Sequence, residues 1–163
     1  MIFHKTLLCH LENDSLALGR SLGEQAFLSL VVCLEGGLGA GKTVFARGFA
    51  QGLGIREPVT SPSYPIIQEY QGQQPFYHMD FYRLADEADV LQTGAQELLG
   101  GHGICIVEWP GRAIGLFDEA ALWVHISIQA DQSRRFKFES DSAITWNRLG
   151  LDSLPEKFTN RNQ

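Results

Sequence analysis

The feature that most constrains this chain is a glycine-rich segment placed between two apolar patterns. Its residues are Gly36, Gly37, Leu38, Gly39, Ala40, Gly41, Lys42 and Thr43. Residues 29–34 before it form a short, mostly apolar run of the kind found in a strand buried on both faces. Apolar residues between Phe45 and Leu53 recur with the helical period, and Gly54 is suited to end a helix. The segment therefore predicts the order strand, glycine loop, helix.

The spacing of this loop is G-x-x-x-x-G-K-[ST], which predicts phosphate binding. Glycines let backbone N–H groups turn inward around phosphate oxygens, and the following helix points the positive end of its dipole at the same anion. Lys42 would contact the β- and γ-phosphates, and the Thr43 hydroxyl would ligate Mg²⁺. Because no N/T-K-x-D base-reading motif follows, a GTPase is disfavoured. We therefore expect ATP with Mg²⁺ at this loop.

Two carboxylates could complete such a site. Glu108 follows the apolar run 103–107, and Asp80 follows the run 76–79. An acid at the end of a strand next to the phosphate loop can hold the metal or orient the attacking water. The residues alone do not decide which of the two acids orients the water. The proline-restrained stretch with Thr60, Ser61 and Ser63 could bring a hydroxyl to the metal or to the γ-phosphate, or could be a simple surface turn.

The remaining patterns predict one α/β domain over residues 1–149. Extended stretches are expected near 66–71 and 76–81, a helical section at 86–99 broken near Gly94, and an antiparallel hairpin over 122–138. We thus expect a P-loop NTPase fold with a mixed, mainly parallel sheet flanked by helices, ending in that hairpin. Residues 150–163 are mostly polar, and a flexible C-terminal tail is predicted there.

Charge and composition narrow the partners of the protein. The net charge is −6, and the one dense basic cluster is Arg134-Arg135-Lys137, so independent tight binding of RNA or DNA is not expected. No apolar run approaches the roughly 20 residues that span a bilayer, so a membrane location is not expected either. The three cysteines lack metal-ligand spacing and are interpreted as reduced. A cytoplasmic protein is the resulting expectation.

Four motifs in fixed order resemble the bacterial TsaE family (formerly YjeE) of tRNA threonylcarbamoyladenosine biosynthesis, over roughly residues 12–130. They are LGAGKT at 38–43, TSPSY at 60–64, HMDFYR at 78–83 and VEWP at 107–110. The first is common to many phosphate-binding proteins, whereas the other three, in this order and spacing, are much more specific. The resemblance implies Mg²⁺-dependent ATP hydrolysis in a complex with TsaB and TsaD. In the family, this complex transfers a threonylcarbamoyl group to adenosine 37 of tRNA. The resemblance implies that ATP hydrolysis by the ATPase resets the TsaB–TsaD complex, and that the ATPase contacts tRNA only through these partners.

The resemblance also implies roles for single residues. Thr43 and Glu108 would ligate Mg²⁺, and Asp80 would lie at the γ-phosphate, with Lys42 completing the catalytic set. Ser63 belongs to a loop that would act like a nucleotide switch. Residues near the nucleotide would further include Trp109 and, at the adenine edge, Glu12 and Gln132.

Two other functions share the same loop. A kinase of a small metabolite or nucleoside would need an acceptor pocket and usually a lid that supplies arginines, and Arg83 and Arg112 do not form a clustered set. A nucleotide-binding module without useful catalysis would show no response to TsaB and TsaD. Both alternatives are separable by assay.

Overall fold

The computed structural model describes residues 2–62 and 64–160. Its strands are β1 (Phe3–Cys9), β2 (Val31–Glu35), β3 (Ile67–Gln71), β4 (Pro75–Asp80), β5 (Ile104–Glu108), β6 (Leu122–Ile128) and β7 (Arg134–Ser140). Its α-helices are α1 (Glu12–Gln25), α2 (Lys42–Gly52), α3 (Glu87–Gln92), α4 (Ala95–Leu98) and α5 (Ala143–Arg148). Two 3₁₀ segments, Pro110–Leu116 and Leu151–Ser153, complete the described part.

Within these residues the chain forms one seven-stranded sheet with the order β1-β7-β6-β2-β5-β4-β3. The central pairings of β2 with β5 and β6, and of β4 with β5, are parallel. The outer pairings are antiparallel, including the β6–β7 hairpin. As a result β1, β2, β4, β5 and β6 run in one direction. The predicted mixed, mainly parallel sheet with a C-terminal hairpin is confirmed.

The parallel registers bring three strand ends to one edge of the sheet. Leu34 of β2 pairs with Glu108 of β5, and Asp80 of β4 pairs with Glu108 from the other side. Because the glycine loop follows β2 directly, both carboxylates end beside it. This is the edge at which open α/β sheets bind ligands.

Helices α1 and α2 pack together on one face of the sheet, and glycines allow their close approach. A Cβ atom on Gly48 would overlap the Leu16 carbonyl oxygen, and one on Gly23 would overlap that of Phe49. Beneath the helices lies the larger apolar core, which includes Phe45, Phe49, Phe76, Phe136 and Phe138. The opposite face, under α3, α4 and the first 3₁₀ segment, carries a smaller cluster around Met79, Phe81 and Val107.

The C-terminal part of the chain differs from the predicted flexible tail as far as residue 160. The Leu8 N–H donates to the Glu156 carbonyl, and the Phe158 N–H donates to the Leu8 carbonyl. Residues 156–158 therefore lie along the outer edge of β1. The Trp146 indole donates to Asp152 Oδ1 at 2.9 Å, and Leu151 is fully buried. Residues 150–160 are mostly polar, but a few apolar and hydrogen-bonding residues among them attach this segment to the rest of the domain.

Two other elements, β1 and α5, were not predicted from the sequence.

In the described part of the chain, no helix combines the length and apolar character needed to cross a membrane.

Candidate functional site

The glycine loop connects the end of β2 to the start of α2, as predicted. Gly39 has φ +78° and Gly41, which precedes the helix, has φ +106°. These positive angles favour glycine, because a side chain there would strain the backbone. The Ala40 N–H donates to the Gly37 carbonyl at 3.1 Å and closes the turn. Loops with left-handed residues ahead of a helix form concave sites for anions.

The Lys42 side chain folds back over this loop. Its Nζ donates to the Gly36 carbonyl at 2.5 Å and lies 3.8 Å from the centroid of the Trp109 ring. Burial lowers the pKa of the Lys42 ammonium below its usual value, while the Glu108 and Asp80 carboxylates oppose that shift. Lys42 is 6% exposed. A largely buried cation with donors to spare is thus held where an anion would contact it.

Asp80 and Glu108 are both nearly buried, with exposures of 8% and 3%. Asp80 Oδ1 accepts from the Tyr82 N–H at 2.9 Å, and its Oδ2 accepts from the Ser61 hydroxyl at 3.4 Å. Glu108 Oε2 lies 2.7 Å from His78 Nε2. The two acids therefore have different supports, one on a loop and the other in the core.

A cavity of about 500 Å³ joins these groups. Its lining consists of Leu38, Gly39, Ala40, Gly41, Lys42, Thr43, Val44, Ser61, Asp80, Tyr82, Arg83, Glu108 and Trp109. The structure therefore brings Lys42, Thr43, Asp80, Glu108 and Trp109 to one opening. A cation, a hydroxyl and two carboxylates around a glycine loop are chemically suited to a phosphate ester and a divalent cation.

Trp109 has a left-handed backbone, with φ 58° and ψ 49°. This conformation is unfavourable for a residue with a side chain and is frequent at functional sites. It turns the chain sharply after β5, and the ring packs on Tyr82 with a centroid distance of 4.9 Å and on Lys42 Nζ. General composition favours a core position for a tryptophan, but this one lines the site.

The residues expected at the adenine edge lie on the other side of the loop. Glu12 and Gln132 line a second cavity of about 270 Å³ together with Gly39, Gly41 and Arg134. Glu12 Oε1 is 3.6 Å from Arg47 Nη2, and Gln132 turns the hairpin with φ 69°. Their proximity to the loop agrees with the expectation, while contact with a base stays a prediction.

The segment 60–64 is only partly described. The Ser61 hydroxyl donates to Asp80, and Tyr64 is 82% exposed. Ser63, expected near the nucleotide, lies outside the described residues. Its role stays a prediction.

Two residues with a place in the site were not identified from the sequence. Arg134 was interpreted only as part of a basic cluster, yet its Nε donates to the Ala40 carbonyl at 3.0 Å and its Nη1 to the Gln132 carbonyl at 2.6 Å. No local pattern indicates this contact. His78 could have been found, because it precedes Asp80 by two positions on an apolar strand and so points to the same face.

Comparisons with known proteins identify the family of this chain. The model of the family "Threonylcarbamoyl adenosine biosynthesis protein TsaE" matches residues 9–136. The chain is 40% identical over 121 residues to the tRNA threonylcarbamoyladenosine biosynthesis protein TsaE of Treponema pallidum, covering 74% of this chain and 90% of the relative. The TsaE protein of Bacillus subtilis is 45% identical over 66% of this chain and 68% of its own length.

A solved structure shows the same fold. The crystal structure of YdiB from Bacillus subtilis aligns with a TM-score of 0.79 and 31% sequence identity, over 93% of this chain and 97% of that chain. The family match covers the glycine loop, both carboxylates and most of the hairpin. Because the family model matches most of the chain and a relative that is 40% identical is covered over 90% of its length, the chain belongs to the TsaE family of threonylcarbamoyladenosine biosynthesis proteins.

Proposed function

We propose that this protein is a cytoplasmic, Mg²⁺-dependent ATPase that acts with TsaB and TsaD in the threonylcarbamoylation of adenosine 37 of tRNA. ATP hydrolysis resets that complex. The observation that carries the proposal is the convergence of Lys42, Asp80 and Glu108 on the cavity at the glycine loop. The role of the relatives in tRNA threonylcarbamoyladenosine biosynthesis supports the tRNA pathway.

The loop residues fit a nucleoside triphosphate. The left-handed Gly39 and Gly41 shape a concave backbone, and α2 begins at Lys42. Phosphate oxygens would replace the Gly36 carbonyl as partners of Lys42 Nζ, which is partly stripped of water and so gains from a new anionic partner. The Lys42 cation would neutralise charge on the β- and γ-phosphates.

The donor set also fits Mg²⁺. No group of three or more His, Cys, Asp or Glu suited to a metal occurs in residues 2–62 and 64–160. Mg²⁺ needs no such group, because it keeps several waters and is commonly bound through one or two protein oxygens and the substrate phosphates. Thr43 and Glu108, which both line the cavity, would hold it. When bound, it would draw charge from the phosphate oxygens.

The remaining step is orientation of the attacking water. Asp80 and Glu108 pair in register across β4 and β5 and both line the cavity, so either carboxylate could accept a hydrogen bond from that water. Asp80 is fixed by the Tyr82 N–H and by Ser61, and movement of the 60–64 segment would change its support. This links the water to a loop that could respond to a partner.

Contact with tRNA would be indirect. A net charge of −6 gives the protein no general attraction to phosphate backbones, so TsaB and TsaD would hold the nucleic acid.

The test is ATP hydrolysis by the purified protein with Mg²⁺, first alone and then with TsaB and TsaD. We expect slow turnover alone and stimulation by the pair, lost in Asp80→Ala and Glu108→Ala. Glu119→Ala, which removes an exposed carboxylate, is the matched control. Full activity alone without any response to the pair would contradict the proposal, and a phosphotransfer screen over small metabolites would then test the kinase alternative.

A further inference from the structure

A buried pair of polar side chains lies directly under the proposed metal site. His78 is fully buried, Glu108 is 3% exposed, and His78 Nε2 is 2.7 Å from Glu108 Oε2. The pair joins neighbouring parallel strands, with His78 on β4 and Glu108 at the end of β5. Burying such groups in place of apolar ones costs free energy unless a function or a full set of hydrogen bonds compensates it.

The hydrogen bonds of this pair are not complete. His78 Nδ1 is buried and has no hydrogen-bond partner within residues 2–62 and 64–160. A hydrogen on Nδ1 would be a buried donor without an acceptor, so the favoured tautomer carries its hydrogen on Nε2. In that form His78 donates to Glu108 Oε2. The other oxygen of Glu108 then remains for a ligand in the cavity that this residue lines.

The imidazole is held firmly by its surroundings. It stacks on Phe76 with a centroid distance of 6.2 Å and an interplanar angle of 23°. Phe76 in turn contacts Phe49 of α2 at 6.1 Å and Tyr70 of β3 at 6.0 Å. The helix that begins at the glycine loop thus contributes, through two aromatic rings, to the placement of the histidine.

We propose that His78 is a positioning residue that fixes the Glu108 carboxylate in the orientation required to hold a divalent cation beside the nucleotide phosphates. The inference rests on the Mg²⁺–nucleotide site proposed above. Residues that hydrogen-bond to a metal ligand commonly determine its orientation and change metal affinity when replaced. Glu108 is supported by His78 from the core, whereas Asp80 accepts from the Tyr82 N–H and from Ser61 of the 60–64 segment. The support of Glu108 therefore does not depend on the 60–64 segment.

Two amide variants separate this role from a purely structural one. In His78→Gln the amide nitrogen reaches about the position of the imidazole Nε2 and can still donate to Glu108. In His78→Asn the side chain is one methylene shorter and cannot reach. Both variants lose the ring and have similar polarity, so a packing effect would appear in both.

The measurement is calorimetric binding of a non-hydrolysable ATP analogue as a function of Mg²⁺ concentration, with thermal unfolding followed in parallel. For His78→Asn we expect Mg²⁺-free binding within about twofold of the unmodified protein, and a Mg²⁺ requirement raised about 10- to 100-fold. For His78→Gln the requirement should stay within about threefold. Turnover at saturating nucleotide should follow the same order.

The outcomes are distinguishable. An unmodified protein whose nucleotide binding does not respond to Mg²⁺ would overturn the proposed metal site and this role with it. A normal Mg²⁺ response in the unmodified protein and an equal response in His78→Asn would overturn the role of His78 alone. If His78→Asn does not fold, a strongly raised Mg²⁺ requirement in folded His78→Gln would overturn it, and a nearly normal one would support it.

Discussion

The two cavities beside the glycine loop share Gly39 and Gly41 but are built from different kinds of residue. On one side, Lys42, Asp80 and Glu108 are 3 to 8% exposed, and each has a defined hydrogen-bond partner. On the other, the Glu12 side chain is 71% exposed and its ion pair with Arg47 is long. The charged groups Lys42, Asp80 and Glu108 are buried and fixed at the proposed phosphate end, whereas the carboxylate of Glu12 at the proposed base end is exposed.

This difference has energetic consequences. A buried charge interacts strongly, because little water screens it and its partners are held in place. An exposed ion pair contributes about 0–1 kcal/mol. Nucleotide affinity should therefore depend steeply on the first cavity and weakly on the second, and substitutions on the two sides test that contrast.

The largest effect is expected for Lys42→Ala. It removes the cation at the loop and leaves the Asp80 and Glu108 carboxylates without it, so the phosphates would meet uncompensated negative charge. We expect ATP affinity to fall about 100-fold or more, which corresponds to about 2.7 kcal/mol. Calorimetric titration measures it. Lys137→Ala is the control, since Lys137 pairs with Glu139 on β7, and an equal effect of both variants would contradict the contrast.

An intermediate effect is expected for Arg134→Ala, because Arg134 joins the two sides. Its guanidinium donates to the carbonyls of Ala40 in the loop and Gln132 in the hairpin turn. Losing both bonds would loosen the loop before the nucleotide binds, and we expect about a tenfold loss of ATP affinity. Arg135→Ala, one position along the strand and exposed, is the matched control. If Arg134→Ala and Arg135→Ala bind ATP with equal affinity, the hydrogen bonds of Arg134 do not contribute to the nucleotide-binding conformation of the loop.

The phosphate end was predictable because its information is local. The spacing from Gly36 to Thr43 specifies both the turn and the helix that follows. The two acids were identified because each follows an apolar strand, and parallel strands place their carboxyl ends at one edge. The mixed sheet followed from the same patterns, since buried and half-exposed strands differ in period.

The parts that were missed depend on distant contacts. Arg134 reaches a loop residue 94 positions earlier, and β1 pairs with β7 across most of the chain. The seven residues of β1 alternate too weakly to indicate a strand, and the pairing with β7 and the C-terminal segment completes it. The mostly polar sequence of residues 150–163 predicts a flexible tail, because residues that anchor it to the core, such as the buried Leu151, are sparse in it.

The smallest effects are expected at the base end of the site, in the cavity lined by Glu12 and Gln132. Gln132→Ala removes an amide from a solvent-facing turn, and Glu12→Ala removes a carboxylate whose ion pair with Arg47 is 3.6 Å long and exposed. Each loses no more than a weak contact, so ATP affinity should change less than about threefold. Competition between ATP and GTP for binding to each variant measures whether these side chains contribute to the preference for adenine. A loss of ATP affinity as large as that of Lys42→Ala would contradict this expectation. It would mean that Glu12 and Gln132 form buried polar contacts when the base binds, so that the two cavities differ only in the free protein.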